Sequence, residues 1–383
     1  MKKVGVITIS RDFVLLNYGT FFQHYALRQF IESQGFKACR YPDEGEPAVA
    51  FAWIWEFVIK ILLRTPVRFF RGIDYHVWRG LKSSLISILR HLRFLGEYMT
   101  LFGRFYDCRN FVCDFYVIGS DQVWTNSSPH YYVVDNDKVR PRIAYAASAD
   151  WKRSLCNDKW KMLISTEVSK FVGVSCREKI GCEIVKHLSR IDVFHAMDPV
   201  FLLSRDDYLN LAFKRSAFQN PTLLCYLVNL RDGDDDVFCT MNKLADGLNV
   251  AIEFVAIQGA ERVISFSSQS IPSPSKFLSY IRDAKYVVTN SFHGAALSLV
   301  FGKRFCYLEQ REINGSSQNI RVKELLDKLN MSDVILPWDA KCDDMQHMLM
   351  REYNNDFAYE TIARWGEESR SWLATMLLKA SGA

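Results

Sequence analysis

Residues 285–303, KYVVTNSFHGAALSLVFGK, constrain the fold more than any other part of this 383-residue chain. A short apolar, β-branched run leads into Asn290, Ser291, Phe292 and His293. At Gly294 the pattern changes to small residues at helical spacing. It predicts a buried strand, a tight turn and a helix starting near Ala295. A strand delivered straight into a helix belongs in an open parallel sheet, where ligands bind at such junctions. The first amides of the helix have no intrahelical partners, and the helix dipole favours anions there. Of eight histidines, only His293 falls at a junction of this kind. It reads either as a polar cap or as a functional group beside an anion site.

The same strand-and-helix alternation runs through most of the chain. KVGVITI at 3–9 reads as a buried strand, 20–34 as a helix stopped by Gly35, and FKACRY at 36–41 as the next strand. No GxGxxG follows the first strand, so a dinucleotide is not indicated. Strands are expected at 114–124, ending in Gly119, Ser120 and Asp121, at 142–148, and at 172–177, ending on Arg177. Near 193–203 an Asp–Pro turn separates two apolar runs. A second alternating series starts near Pro221, and 343–378 reads as one or two terminal helices. Two Rossmann-like α/β domains follow, at 1–203 and 204–345, with C-terminal helices over 346–383 and a cleft between the carboxyl ends of the two sheets.

One segment breaks the rhythm. Residues 49–104 are apolar, aromatic and basic, with nine Lys/Arg against three Asp/Glu. Their charge of +6 exceeds the net +5 of the chain, so the remainder sums to −1. A basic face for nucleic acid is therefore not expected. The segment is too interrupted by Glu56, Lys60 and Pro66 for a confident transmembrane helix. It reads as a helical insertion packed on its own domain or a partner, or as basic amphipathic helices lying on an anionic membrane surface. The ten cysteines include no CxxC pair and no zinc spacing. With no recognisable export signal, they suggest a cytoplasmic protein, at the inner membrane face if 49–104 binds lipid.

Several strings in order resemble the polysaccharide pyruvyl transferases: NYGTFFQHYAL (17–27), VIGSDQVWT (117–125), AYAASAD (144–150), VSCREKIG (174–181), MDPVFLL (197–203), VVTNSFHGAALSLVFGKRF (287–305) and QNIRVKELL (318–326). GSDQVW and TNSFHG together are the specific part. The resemblance implies a GT-B-like fold, with the basic, aromatic insertion set into the first domain. It also implies transfer of a pyruvyl group from phosphoenolpyruvate to two hydroxyls of a sugar, giving a ketal and phosphate. The acceptor would be a surface polysaccharide or its lipid-linked precursor.

In that family the histidine of the HG motif and the arginine of the SxR motif contact phosphoenolpyruvate, which carries over to His293 and Arg177. Many members keep an arginine two residues before the histidine; this chain has Ser291 there. Arg321 is the expected substitute.

The residues themselves suit this chemistry. Guanidinium forks match phosphate and carboxylate, although Arg177 also reads as an ordinary ion-pair partner. Ser291, Phe292 and Gly294 lie where helix amides would hold the phosphate. His293 is the candidate acid. Asp121 is either the base that takes a hydroxyl proton or a helix N-cap. Asn17, Tyr18 and Gly19 suit acceptor contacts, with Tyr18 as a stacking platform; Trp124 and Tyr145 extend it or pack in the core. No metal or cofactor is called for beyond phosphoenolpyruvate as co-substrate, and Asp234–Asp236 reads as a helix start. The competing expectations are a GT-B nucleotide-sugar glycosyltransferase and a non-catalytic scaffold of a polysaccharide assembly complex.

Overall fold

A computed structural model of the chain describes residues 1–9, 17–40, 113–125, 128–134, 140–230, 234–256, 272–311, 319–352 and 355–382. The expected insertion at 49–104, and with it the membrane reading, lies outside the described residues.

Among these residues two wholly parallel sheets form. The first contains β1 (Lys3–Ile7), β2 (Lys37–Arg40), β3 (Phe115–Ile118), β4 (Arg142–Ala147), β5 (Gly173–Cys176) and β6 (Phe194–His195), in the order β2-β1-β3-β4-β5-β6. The second contains β7 (Thr222–Leu227), β8 (Ala251–Ala256), β9 (Tyr286–Thr289), β10 (Arg304–Leu308) and β11 (Ile335–Leu336), in the order β11-β10-β9-β7-β8. The runs FYVI, TLLCYL and YVVT are buried along their whole length, as strands covered on both faces must be. Strand order reverses between β1 and β3 in one sheet and between β7 and β9 in the other. Such switch points open crevices at the carboxyl ends of the strands, and the two crevices face each other.

Two helices tie the sheets together. In the helix Tyr18–Ser33, Asn17 is the cap; its side-chain oxygen accepts from the amides of Gly19 and Thr20 at 2.9 and 3.3 Å. Phe21 and Phe22 enter the core of the second sheet, whereas Leu27, Phe30 and Ile31, further along, enter the core of the first. The terminal helix Asp356–Ser381 makes the same crossing. Ala358 and Trp365 pack with the second core, and Leu373, Met376 and Leu377 with the first. The opposite face of the first sheet is filled by Trp124, Tyr132, Trp151 and Trp160, with the Trp160 indole donating to the Trp124 carbonyl at 2.7 Å. Among the described residues no helix is long and apolar enough to cross a membrane.

The 285–303 stretch folds as expected, except that its helix begins earlier. It runs from Phe292 to Val300, with Ser291 as N-cap accepting from the Gly294 amide at 3.4 Å. His293 is thus a first-turn helical residue and not part of the turn. Gly294 is dictated by packing: a Cβ there would stand 2.3 Å from Thr289 Oγ1 and 2.8 Å from the Tyr226 ring.

Candidate functional site

The cleft is built from strand ends. Asp121 follows β3, Arg177 and Glu178 follow β5, Asp198 follows β6, and His293 lies in the first turn after β9. The helix Ile320–Lys328 brings Arg321 in from the second domain.

Asp198 is the centre of this cluster and is 2% exposed. Its Oδ2 accepts from Arg177 Nη1 at 2.6 Å and from Ser120 Oγ at 3.3 Å, and its Oδ1 accepts from the Val200 amide at 3.0 Å. His293 Nε2 stands 3.6 Å from Oδ2, an ion-pair distance too long for a hydrogen bond. Burial pushes the Asp198 carboxyl up, but His293, Arg177 and the Val200 amide outweigh it and hold the group well below the ordinary carboxylate range.

Arg177 is held on several sides. Its Nε donates to Glu178 Oε1 at 3.0 Å, and Nη2 lies 3.7 Å from Asp121 Oδ1. Glu178 is itself fixed by the Ser148 hydroxyl at 2.8 Å and the Trp151 indole at 3.0 Å. Burial alone would lower the Arg177 pKa; Glu178, Asp198 and Asp121 outweigh it and raise the value above the usual one. Arg321 approaches from the facing domain, with Nη1 3.4 Å from Asp121 Oδ1. Burial, followed by the like charge of Arg177, lowers its pKa. Both guanidiniums flank the Phe292 ring, at 4.5 Å for Arg177 and 6.0 Å for Arg321. Arg177 Nη2 and His293 Nε2 are buried donors that make ion-pair contacts without a hydrogen bond.

Gly19 positions His293. A Cβ at Gly19 would lie 2.1 Å from His293 Nδ1. Alanine there must displace the imidazole from its present position beside Asp198. Because misplacing a reacting group by about 1 Å can lower rates about 100-fold, Gly19→Ala is expected to lose turnover on that order while its melting temperature moves by only a few degrees. Steady-state kinetics together with thermal unfolding tests this; unchanged kcat would show that the ring is not held here.

His195 supports Arg177 from below. Its Nε2 lies 3.1 Å from the Arg177 carbonyl, and its ring packs 4.8 Å from that of Trp365. Burial, then the charge of Lys328, pushes its pKa down to about 4 from the ordinary 6.5. The unfolded chain therefore binds a proton that the folded chain refuses between these values. The associated stability is present above pH 6.5 and is lost as pH falls toward 4, amounting to no more than about 3 kcal/mol. Urea unfolding of His195→Gln should show a flatter pH dependence across that window; a slope equal to that of the parent protein would contradict the assignment.

The structure brings together His293, Arg177, Arg321, Phe292 and Asp121. It reassigns several other expected contacts. Tyr18 does not offer a stacking face: it is fully buried, its ring stacked on Phe277 at 4.1 Å and its hydroxyl donating to the Pro272 carbonyl, so it seals the junction of the two domains. Trp124 and Tyr145 are likewise fully buried and belong to the core. Asn17 acts as a helix cap. The Ser291 hydroxyl and the Gly294 amide satisfy each other, and the Ala295 amide bonds to the Ser291 carbonyl, so of the first-turn amides only those of Phe292 and His293 stay outside these bonds. The N-cap reading of Asp121 fails, since no helix begins at residues 122–125 and its φ is 66°. Asp234 precedes the helix Asp235–Gly247 and pairs with Arg311 at 2.9 Å, in keeping with a helix start. Among the described residues no His/Cys/Asp/Glu group is arranged to hold a metal ion.

Asp198, Glu178 and Ser120 had no assigned role in the sequence reading. Asp198 sits in the MDPVFLL string and Ser120 and Glu178 in GSDQVW and SCREK, so the strings marked the right places. Asp198 was hidden because Asp–Pro also signals a plain turn. Glu178 was hidden because an acidic residue before a helix reads as a cap. Here its carboxylate turns inward to Arg177, and Glu324 from the other domain caps the helix Lys179–Ser189 by accepting from the Lys179 amide at 2.5 Å.

Two parallel α/β units with a cluster of paired charges between the carboxyl ends of their sheets define a GT-B-like protein. A UDP-N-acetylglucosamine 2-epimerase from Rickettsia bellii has the same architecture, with a TM-score of 0.54 at 10% identity over 100% of this chain and 97% of that one. The UDP-GlcNAc 2-epimerase from Methanocaldococcus jannaschii gives 0.50 at 10% identity over 97% and 99%. At this identity the likeness is one of fold. The profile of the polysaccharide pyruvyl transferase family matches residues 17–311, and the chain belongs to that family. No curated protein matches its sequence.

Proposed function

We propose that the protein transfers the pyruvyl group of phosphoenolpyruvate to two hydroxyls of one sugar, in a surface polysaccharide or its lipid-linked precursor. The observation that carries this reading is the convergence of Arg177 and Arg321 on the Phe292 ring, from opposite domains, beside His293. Phosphoenolpyruvate has two anionic groups, and two guanidiniums that approach the same Asp121 oxygen suit them better than a single phosphate. Arg321 then stands in for the arginine that Ser291 replaces. On binding, the substrate takes over contacts that Asp121 makes to both arginines in the ligand-free site.

In this reading His293 delivers a proton to the vinyl CH2, which becomes a methyl group, while a sugar hydroxyl adds to the carbon bearing the phosphate. The arginines stabilise the developing charge. A second hydroxyl then displaces inorganic phosphate and closes the ketal, returning its proton to His293. Asp121, the carboxylate at the first-domain side of the cleft, takes a hydroxyl proton.

The test is incubation of the protein with phosphoenolpyruvate and extracted lipid-linked oligosaccharide, followed by phosphate release and acceptor mass. A pyruvyl ketal on the acceptor is expected. Thermal stabilisation by UDP-sugars and not by phosphoenolpyruvate would instead favour a nucleotide-sugar transferase, which the fold alone permits.

A further inference from the structure

We infer that Asp198 is a positioning residue that holds the His293 imidazole in its productive orientation and couples it to Arg177; the catalytic part of this inference rests on the function proposed above. Three facts carry it. Asp198 is buried and anchored by donors other than His293, namely Ser120 Oγ, the Val200 amide and Arg177 Nη1, so it cannot swing away. The same atom, Oδ2, faces both Arg177 and His293 Nε2. On its other edge the imidazole lies against Gly19, where a Cβ would stand 2.1 Å from Nδ1.

The charges around His293 come from every side of the cleft. Asp198 is the carboxylate within ion-pair range, among the described residues. Arg177 and Arg321 lie across the Phe292 ring, and their charges oppose that of an imidazolium. Asp121 and Glu178 are turned to those arginines. A negative charge beside an imidazole favours its protonated form, and like charges disfavour it. Asp198 is thus the carboxylate placed to favour a proton on His293 next to two guanidiniums. It also spans the domains, because Arg177 comes from the first sheet and His293 from the second. The acid is therefore assembled only when the two units meet.

The experiment compares wild type, Asp198→Asn and Asp198→Glu. NMR titration of the His293 ring, assigned with His293→Gln, reads the imidazolium directly without substrate. In Asp198→Asn the titration midpoint is expected to move to lower pH by at least half a unit, whereas Asp198→Glu, which keeps the charge, stays near wild type. The acidic limb of the kcat profile for phosphate release should move with it. Asp198→Ser, a second neutral replacement, reads the same shift should the amide disturb folding. A midpoint in the neutral variants within about 0.2 unit of wild type would overturn the inference, and so would equal shifts in the neutral and charged variants, which would mark a packing effect. Should wild type release no phosphate from phosphoenolpyruvate while the NMR shift is seen, the substrate reading falls and the Asp198–His293 pair stands.

Discussion

In the Arg177→Ala variant, phosphoenolpyruvate-dependent phosphate release is expected to fall on the order of 10²–10³-fold or more, the scale for losing a fixed donor to developing charge. Stability falls as well. Arg177 neutralises Asp198 and Glu178 directly and faces Asp121, all three buried. Removing one partner of such a network leaves charge uncompensated, an effect of about 3–5 kcal/mol. Arg177→Lys should recover part of the stability and little of the activity. An ammonium restores the charge but cannot donate through separate nitrogens to Glu178 and Asp198. A phosphate-release assay alongside thermal unfolding separates the two effects. Near-normal turnover of Arg177→Ala would remove Arg177 from the site.

His293→Ala is expected to give the other large effect, of a different kind. Loss of a general acid lowers kcat by roughly 10²–10⁴-fold. The arginine pair and the Phe292 ring remain, so phosphoenolpyruvate should still raise the melting temperature of the variant. Folding should survive, because Asp198 keeps its bonds to Arg177, Ser120 and Val200. Turnover within tenfold of the parent protein would overturn the acid assignment. Lost binding with intact chemistry at saturating substrate would move His293 from proton transfer to substrate capture.

Much of this site can be read one element at a time. The strand-to-helix switch at 285–303 follows from hydrophobic period and small residues, and the ends of β3, β5 and β9 fall within a few residues of their expected positions. The strings that identify the family also bracket the cluster. Exposure was the weak point. Tyr18 looked like a platform at a loop mouth, but it is the first residue of the helix Tyr18–Ser33, and that helix is buried by the second domain. A residue's own neighbours in sequence do not reveal what packs on it from more than 200 positions away.

Local patterning by itself determined the parallel α/β class, the strand ends that carry His293 and Arg177, and the family strings, because periodicity and turn chemistry act over a few residues. Only the tertiary structure decided that Asp198 is the centre of the cluster, that Arg321 reaches Asp121 from the facing domain, and that the absent side chain of Gly19 makes room for His293. Those outcomes depend on the docking of two sheets through two shared helices, and on which buried charges can be neutralised once they meet. Burial and ion pairing are properties of the assembled cleft, and no window of sequence contains them.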